Sequence, residues 1–134
     1  MTDLKNKWVA ITGASSGFGR AAAVAFGSAG AHLMLGARRM ERLEETARLA
    51  LEAGAASACP FSLDVSSTPS VEEFGNALAQ RTSELQVLIN NAGGALGVDT
   101  LLEGKDEDWE TMLQTNVLGL LRVSRRLIPL MLRV

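Results

Sequence analysis

The residues best placed to do chemistry in this chain form the run Thr12-Gly13-Ala14-Ser15-Ser16-Gly17-Phe18-Gly19, entered directly from the apolar stretch Trp8-Val9-Ala10-Ile11. A buried strand that breaks into a glycine-rich turn and restarts as an alanine-rich helix is suited to hold a phosphate. Glycine has no Cβ, so the backbone can turn sharply and approach a ligand closely. The next helix directs unpaired N–H groups and the positive end of its dipole at the same spot. The spacing Gly13, Gly17, Gly19 is T-G-x-x-x-G-x-G, and no Gly-Lys-Ser/Thr comes after it. A P-loop triphosphatase would therefore lack its phosphate-binding lysine and magnesium-binding hydroxyl. Taken alone, the run is also compatible with a tight turn that binds nothing.

A second group lies downstream, at Ala37-Arg38-Arg39. In dinucleotide folds an acidic residue about 20 residues beyond the glycines binds the ribose 2′-hydroxyl. No carboxylate stands at that point here. Two guanidinium groups would instead suit a 2′-phosphate, through charge-assisted and bidentate bonds. NADP is thus favoured over NAD, although two exposed arginines opening a helix are the plainer alternative. Asp64-Val65 and Asn90-Asn91-Ala92-Gly93 each close a strand-like run. The first offers a carboxylate and an amide for an adenine edge, the second a tight polar turn beside the expected groove.

Alternating β and helical patterns must position these groups, and they predict an α/β fold with a parallel sheet. Strands are expected at about 8–12, 31–36, 58–63 and 86–90. The first helix begins near Gly17 and ends before Gly30, which suits a C-terminal cap. A second covers 40–53, with Leu43, Ala47, Leu49, Ala50 and Leu51 on its apolar side. A third opens at Thr68 as N-cap with Pro69 behind it, burying Val71, Phe74, Ala77 and Leu78. A glycine-rich loop over 91–104 precedes one long last helix, N-capped by Asp106. Its apolar side is expected to carry Trp109, Met112, Leu113, Val117, Leu120, Leu121, Ser124, Leu127, Ile128 and Met131. Arg122, Arg125, Arg126 and Arg133 read as a solvated face.

The 134 residues suffice for one domain, and at that size roughly 70% of the unfolded surface can be buried. An apolar fraction of 47% and a charged fraction of 21% are ordinary for a globular protein. A net charge of −2 argues against nucleic-acid binding. No apolar run approaches the ~18 residues of a membrane helix, and the N-terminus lacks a signal-like core. The single cysteine, Cys59, forms no internal disulfide and reads as a packing thiol. A cytoplasmic location is expected, and nothing suggests a metal site. His32 falls at the start of the second strand, away from the groove, and reads as structural.

Together the motifs 12–19, Ala37-Arg38-Arg39, Asp64-Val65, Asn90-Asn91-Ala92-Gly93 and Asn116-Val117-Leu118-Gly119 resemble the short-chain dehydrogenase/reductase family, in that family's order and across essentially the whole chain. The resemblance implies a single Rossmann-like domain over 1–134, with strand order 3-2-1-4. It also implies an NADP-dependent oxidoreductase moving hydride between the nicotinamide and a small alcohol or carbonyl. Ser15, Ser16, Gly17, Phe18 and Gly19 would cradle the pyrophosphate, with Arg38 and Arg39 at the 2′-phosphate. Asp64 and Val65 would border the adenine, and Asn90 to Gly93 the ribose side. Asn116 resembles the family's helix-interior asparagine, which helps hold a water in the proton relay. Physically, an asparagine in mid-helix competes with the backbone for hydrogen bonds and tends to perturb the helix. A tolerated polar residue at a packed turn is the alternative.

The family's catalytic serine and Tyr-x-x-x-Lys pair lie beyond the point where the chain ends, and the chain has no tyrosine at all. The expectation is a cofactor-binding half that is inactive alone. Its open sheet edge and apolar last helix would favour self-association or pairing with a second chain. A non-catalytic nucleotide-binding or interaction module is the competing class. Gly94-Ala95-Leu96-Gly97 offers only a small apolar wall toward a substrate.

Overall fold

The computed structural model describes residues 3–94, 96–97 and 99–134. The element order is β1 (Trp8–Thr12), α1 (Gly17–Ser28), β2 (His32–Ala37), α2 (Met40–Ala53), β3 (Ser57–Ser62), α3 (Thr68–Ala79), β4 (Val87–Ile89), α4 (Asp106–Met112), a π-helical turn (Leu113–Leu118) and α5 (Gly119–Met131). The four strands are parallel and lie in the order β3-β2-β1-β4. This is a doubly wound, Rossmann-like sheet, as the alternating pattern predicts.

Side chains alternate across the central strands, as the two-residue period of a strand requires. Val9, Ile11, Leu33 and Leu35 face α1 and α2, where Ala23, Leu43, Ala47 and Ala50 meet them. Ala10 and Met34 face the opposite layer, with Val71, Phe74 and Leu78 of α3 and Val123, Leu127 and Leu130 of α5. Both faces of the sheet are thus covered, which explains why β1 and β2 read as continuous apolar runs. β3 carries Pro60, a residue that cannot donate to a ladder and is confined to edges. Edge placement also leaves Cys59 half-buried rather than sealed in the core. The sequence order reverses direction between β1 and β4. Their carboxyl ends therefore flank the crevice where open α/β sheets bind ligands.

Several local expectations are corrected. Ser67, not Thr68, is the N-cap of α3: its hydroxyl accepts from the Ser70 amide at 3.3 Å, which leaves Thr68 and Pro69 inside the first turn. α4 is capped by Lys105, with Asp106, Glu107 and Asp108 in its first turn. On α2 the 3.6-residue period buries Thr46 and leaves Leu51 exposed. β2 runs one residue later than expected, so that Ala37 closes it.

The largest departure is the last helix, which is interrupted by the π-helical turn. Such a turn adds a residue to the winding, which rotates the downstream helix by roughly 100°. α5 consequently buries Gly119, Val123, Leu127 and Leu130. Leu113, Val117, Leu120, Leu121 and Ile128 stay exposed as a second apolar stripe, contrary to the single buried face expected. Two of the arginines are also engaged rather than merely solvated. Arg126 Nε lies 3.1 Å from Glu72 Oε2, and its Nη2 donates to Asn76 Oδ1 at 2.8 Å. Arg122 bonds to two backbone carbonyls beside the crevice. His32, by contrast, is structural as expected: its ring stacks on Trp8 at 4.9 Å, and its Nδ1 lies 2.7 Å from the Ser57 hydroxyl. No helix of the described residues is long and apolar enough to cross a membrane.

Candidate functional site

The crevice is built from two backbone turns pressed together. Gly13 and Gly17 adopt φ of 63° and 56°, left-handed values that other residues rarely take. A Cβ on Gly13 would come within 2.9 Å of the Ala92 Cα, and one on Gly19 would strike the Gly13 carbonyl. Thr12, itself buried, joins the turns. Its hydroxyl accepts from the Asn91 amide at 3.0 Å and the Ala92 amide at 2.9 Å, while Asn91 Nδ2 donates to the Gly13 carbonyl at 3.1 Å. Sequence reasoning placed Thr12 in the motif but missed this role. A small hydroxyl residue at the last buried position of a strand was the available signal.

α1 begins at this junction. Among the described residues, no side chain caps its first turn and no acidic residue lies within it. Its N–H groups and positive dipole end therefore face the crevice uncompensated. Phe18 stands at the mouth with 88% of its surface exposed.

The end of β2 supplies positive charge. Arg38 and Arg39 line the crevice as expected, and Arg42, on the first turn of α2, joins them. Arg42 escaped the sequence reading because it lies outside the strand-end position, although one helical turn brings it to the same face. Across the crevice lies the loop after β3. Asp64 Oδ1 accepts from the Ser66 hydroxyl at 2.6 Å and the Ser66 amide at 3.0 Å. The Ser66 hydroxyl is the largest cause holding this carboxyl below its ordinary range. The Ser66 amide and the charges of Arg38 and Arg122 act the same way, while partial burial opposes them. Arg122 Nη1 donates to the Val65 carbonyl at 3.2 Å and to the Gln114 carbonyl at 3.3 Å, tying the loop to the π-helical turn.

Asn116 lies in that turn, so the sequence argument that it would perturb its helix agrees with the geometry. Its Oδ1 accepts from the Gly94 amide at 2.8 Å and its Nδ2 donates to the Gly94 carbonyl at 2.8 Å. Gly93, at φ 134°, leaves the space the carboxamide fills. Asn90 points away from the crevice, donating from Nδ2 to the Ser124 hydroxyl at 3.1 Å.

The cleft so formed measures about 920 Å³. Gly13, Ser15, Ser16, Gly17, Phe18, Arg38, Arg39, Asp64, Val65, Asn91, Ala92 and Gly93 all line it. Gly19, Asn90 and Asn116 stand behind that wall and support it. Ala37, Arg42, Leu63, Gly94, Leu96, Thr111 and Thr115 complete the lining; Gly94 and Leu96 belong to the expected small apolar wall, whereas Leu63, Thr111 and Thr115 were not anticipated as site residues. Ala95, expected in the small apolar wall, lies outside the described residues. Among the described residues no cluster of histidine, cysteine or carboxylate could hold a metal.

This crevice, with glycines on one side and arginines on the other, lies at the switch point where doubly wound sheets bind ligands. A family model described as short chain dehydrogenase matches residues 7–134, and the chain belongs to that family. It is 38% identical over 131 residues to an NADP-dependent 3-hydroxy acid dehydrogenase of Schizosaccharomyces pombe, covering 97% of this chain and 51% of that one. It is 41% identical over 129 residues to a sulfoacetaldehyde reductase of Chromohalobacter salexigens, covering 94% of this chain and 49% of that one. An alcohol dehydrogenase structure from Thermococcus sibiricus, complexed with 5-hydroxy-NADP, superposes with a TM-score of 0.87 at 36% identity over 94% of this chain and 53% of that one. A short chain dehydrogenase/reductase of Burkholderia phymatum in complex with NAD gives 0.90 at 33% identity over 99% and 47%. The chain thus spans about half the length of the curated relatives it matches.

Because the Asp64 carboxyl is depressed in the folded state, its ionised form adds stability above the ordinary carboxylate range. That contribution is lost as pH falls through the folded value. Ser66→Ala is expected to move Asp64 back up toward the ordinary range in a carboxyl-carbon NMR titration. An unchanged titration would show that Ser66 is not the main cause.

Proposed function

We propose that residues 1–134 form a single dinucleotide-binding unit of an NADP-dependent oxidoreductase. The observation that carries this reading is the charge at the end of β2. Arg38, Arg39 and Arg42 gather on one wall of the crevice, and no carboxylate stands at the position where a ribose 2′-hydroxyl would want one. Guanidinium groups suit a 2′-phosphate because their planar forks match its oxygens. The turn itself fits the rest of the group. Its backbone packs too tightly to admit a Cβ at Gly13 or Gly19, and an uncapped helix N-terminus is directed into the crevice beside it.

In this reading Ser15, Ser16, Gly17, Phe18 and Gly19 form the pyrophosphate cradle, and Arg38, Arg39 and Arg42 hold the 2′-phosphate. Asp64 and Val65 border the adenine. Asn91 to Gly93 line the ribose side, with Asn90 behind them. The bound NADP supplies hydride transfer to or from a small alcohol or carbonyl substrate. Asn116 holds the Gly94 backbone through both ends of its carboxamide and so shapes the wall on which the substrate side is built. A cytoplasmic location accords with a lone half-buried thiol and the absence of any need for an oxidising compartment.

The chain contains no tyrosine, and Lys5, Lys7 and Lys105 are its only lysines. No phenol is available here as general acid or base, a contribution worth about 10²–10⁴-fold in rate. We propose that these 134 residues alone hold the cofactor without turning it over. A non-catalytic nucleotide-binding or interaction module is the alternative reading. β4 has only β1 beside it among the described residues, and the apolar stripe of the π-helical turn and α5 is open. Exposed edges and apolar patches invite other chains, and we propose self-association or pairing with a second polypeptide.

Saturable NADPH binding by fluorescence titration is expected, and Arg38→Asp should weaken it about 10- to 100-fold while shifting preference toward NADH. Wild-type protein that shows no saturable binding would overturn the reading. Mixed with NADPH and a panel of carbonyls, the chain should leave NADPH absorbance at the background rate; clear turnover would refute the proposed inactivity. Sedimentation velocity should show dimers or larger species at micromolar concentration, and a strictly monomeric chain would count against self-association.

A further inference from the structure

Arg20 lies in the first turn of α1, facing away from the crevice, with its side chain 29% exposed. It nevertheless touches both phosphate-facing walls through their backbones. Nη2 donates to the Ser15 carbonyl at 2.8 Å, inside the glycine turn, and to the Arg42 carbonyl at 3.1 Å, on the first turn of α2. Nε donates to the Thr46 hydroxyl at 2.9 Å, and that hydroxyl donates to the same Arg42 carbonyl at 3.2 Å. Glu45 Oε2 stands 3.7 Å from Nη2. Thr46 is fully buried, so the inner end of this bracket is set between the two helices, while its Arg42 and Glu45 contacts lie at the surface.

The bracket ties the start of α1 to the start of α2, beside the apolar packing of Ala23 with Leu43, Ala47 and Ala50. At the far end of α1, Gly27 lets the helices approach so closely that a Cβ there would lie 2.8 Å from the Ala50 carbonyl. These contacts together oppose sliding of the start of α2 along α1. Arg42 travels with that start, and Arg38 and Arg39 immediately precede it.

We infer that Arg20 is a positioning residue that sets the separation between the glycine-turn cradle and the arginine cluster at the end of β2. This rests on the reading of the crevice as a site for a 2′-phosphorylated dinucleotide. The physical case has two parts. The planar guanidinium engages the two backbone carbonyls and the hydroxyl in one rigid geometry, which a flexible ammonium could not reproduce. It also keeps the Ser15 carbonyl, a negative dipole end, directed toward the bracket in a turn that must present N–H groups to an anion. A ligand holding phosphate groups at both subsites gains affinity from their joint engagement only if the spacing is right. A ligand with one phosphate does not sense it.

The test compares adenosine 2′,5′-bisphosphate with adenosine 2′-monophosphate and adenosine 5′-monophosphate, titrated against the full chain by NMR. Arg20→Gln is expected to weaken the bisphosphate about tenfold while changing each monophosphate by less than about twofold. A bisphosphate loss no larger than the product of the two monophosphate losses would overturn the inference. Thr46→Val removes the buried acceptor with little change of shape and should show the same pattern at smaller size. It carries the test if Arg20→Gln does not fold by circular dichroism, and an unchanged bisphosphate affinity in it would then overturn the inference. Wild-type chain that binds none of the three would overturn the reading of the site itself.

Discussion

The structure depends on one hydroxyl. Thr12 closes β1 with its oxygen turned inward, where it accepts the two amides that open the turn after β4. β1 and β4 are distant in sequence, so nothing local holds their ends together. A buried polar atom in that position must be satisfied, because an unpaired one costs about 1–3 kcal/mol. The amides of Asn91 and Ala92 satisfy it, and the cost of leaving them unpaired locks the two turns into a single wall. The close approach at Gly13 results from this contact, and the crevice is the space left beside it.

The electrostatic character of the crevice comes from what is left unpaired as much as from what is present. α1 starts without a side-chain cap, so its dipole is open to the crevice. The positive side chains that line the opposite wall lie at the end of β2 and the start of α2, and the backbone carbonyl of one of them, Arg42, is held from behind by Arg20. Asp64 is the nearest counterweight, and its carboxylate is turned into the Ser66 hydroxyl and amide. The result is a cleft whose potential favours anions on two sides and is balanced on the third.

Much of this was legible in the residues, and the reasons differ by element. The strands were readable because both faces of β1 and β2 are covered, which forces uninterrupted apolar runs. The glycine turn was readable because left-handed backbone and close approach admit few other residues. Arg38 and Asp64 were readable because their positions are set by strand ends. The last helix was not. A π-helical turn has no distinctive composition, and its phase shift separated a single apparent apolar face into a buried set and an exposed set. Thr46 and Arg20 were missed for a related reason: their value lies in contacts between helices, which a pattern along one helix does not contain. The engagement of Arg122 with the loop after β3 and of Arg126 with α3 belongs to the same class.

The π-helical turn has a consequence for how the chain tolerates change in length. Most of residues 113–118 are exposed, and exposed segments ordinarily accept insertions and deletions. Here the extra residue is what keeps Asn116 on Gly94 while Val123 and Leu127 face the core. Removing one residue would restore an uninterrupted α-helix and improve the local hydrogen bonding, yet it would set those two demands against each other. This outer segment is therefore as intolerant of a change in residue count as the core, although it remains permissive about which side chains it displays.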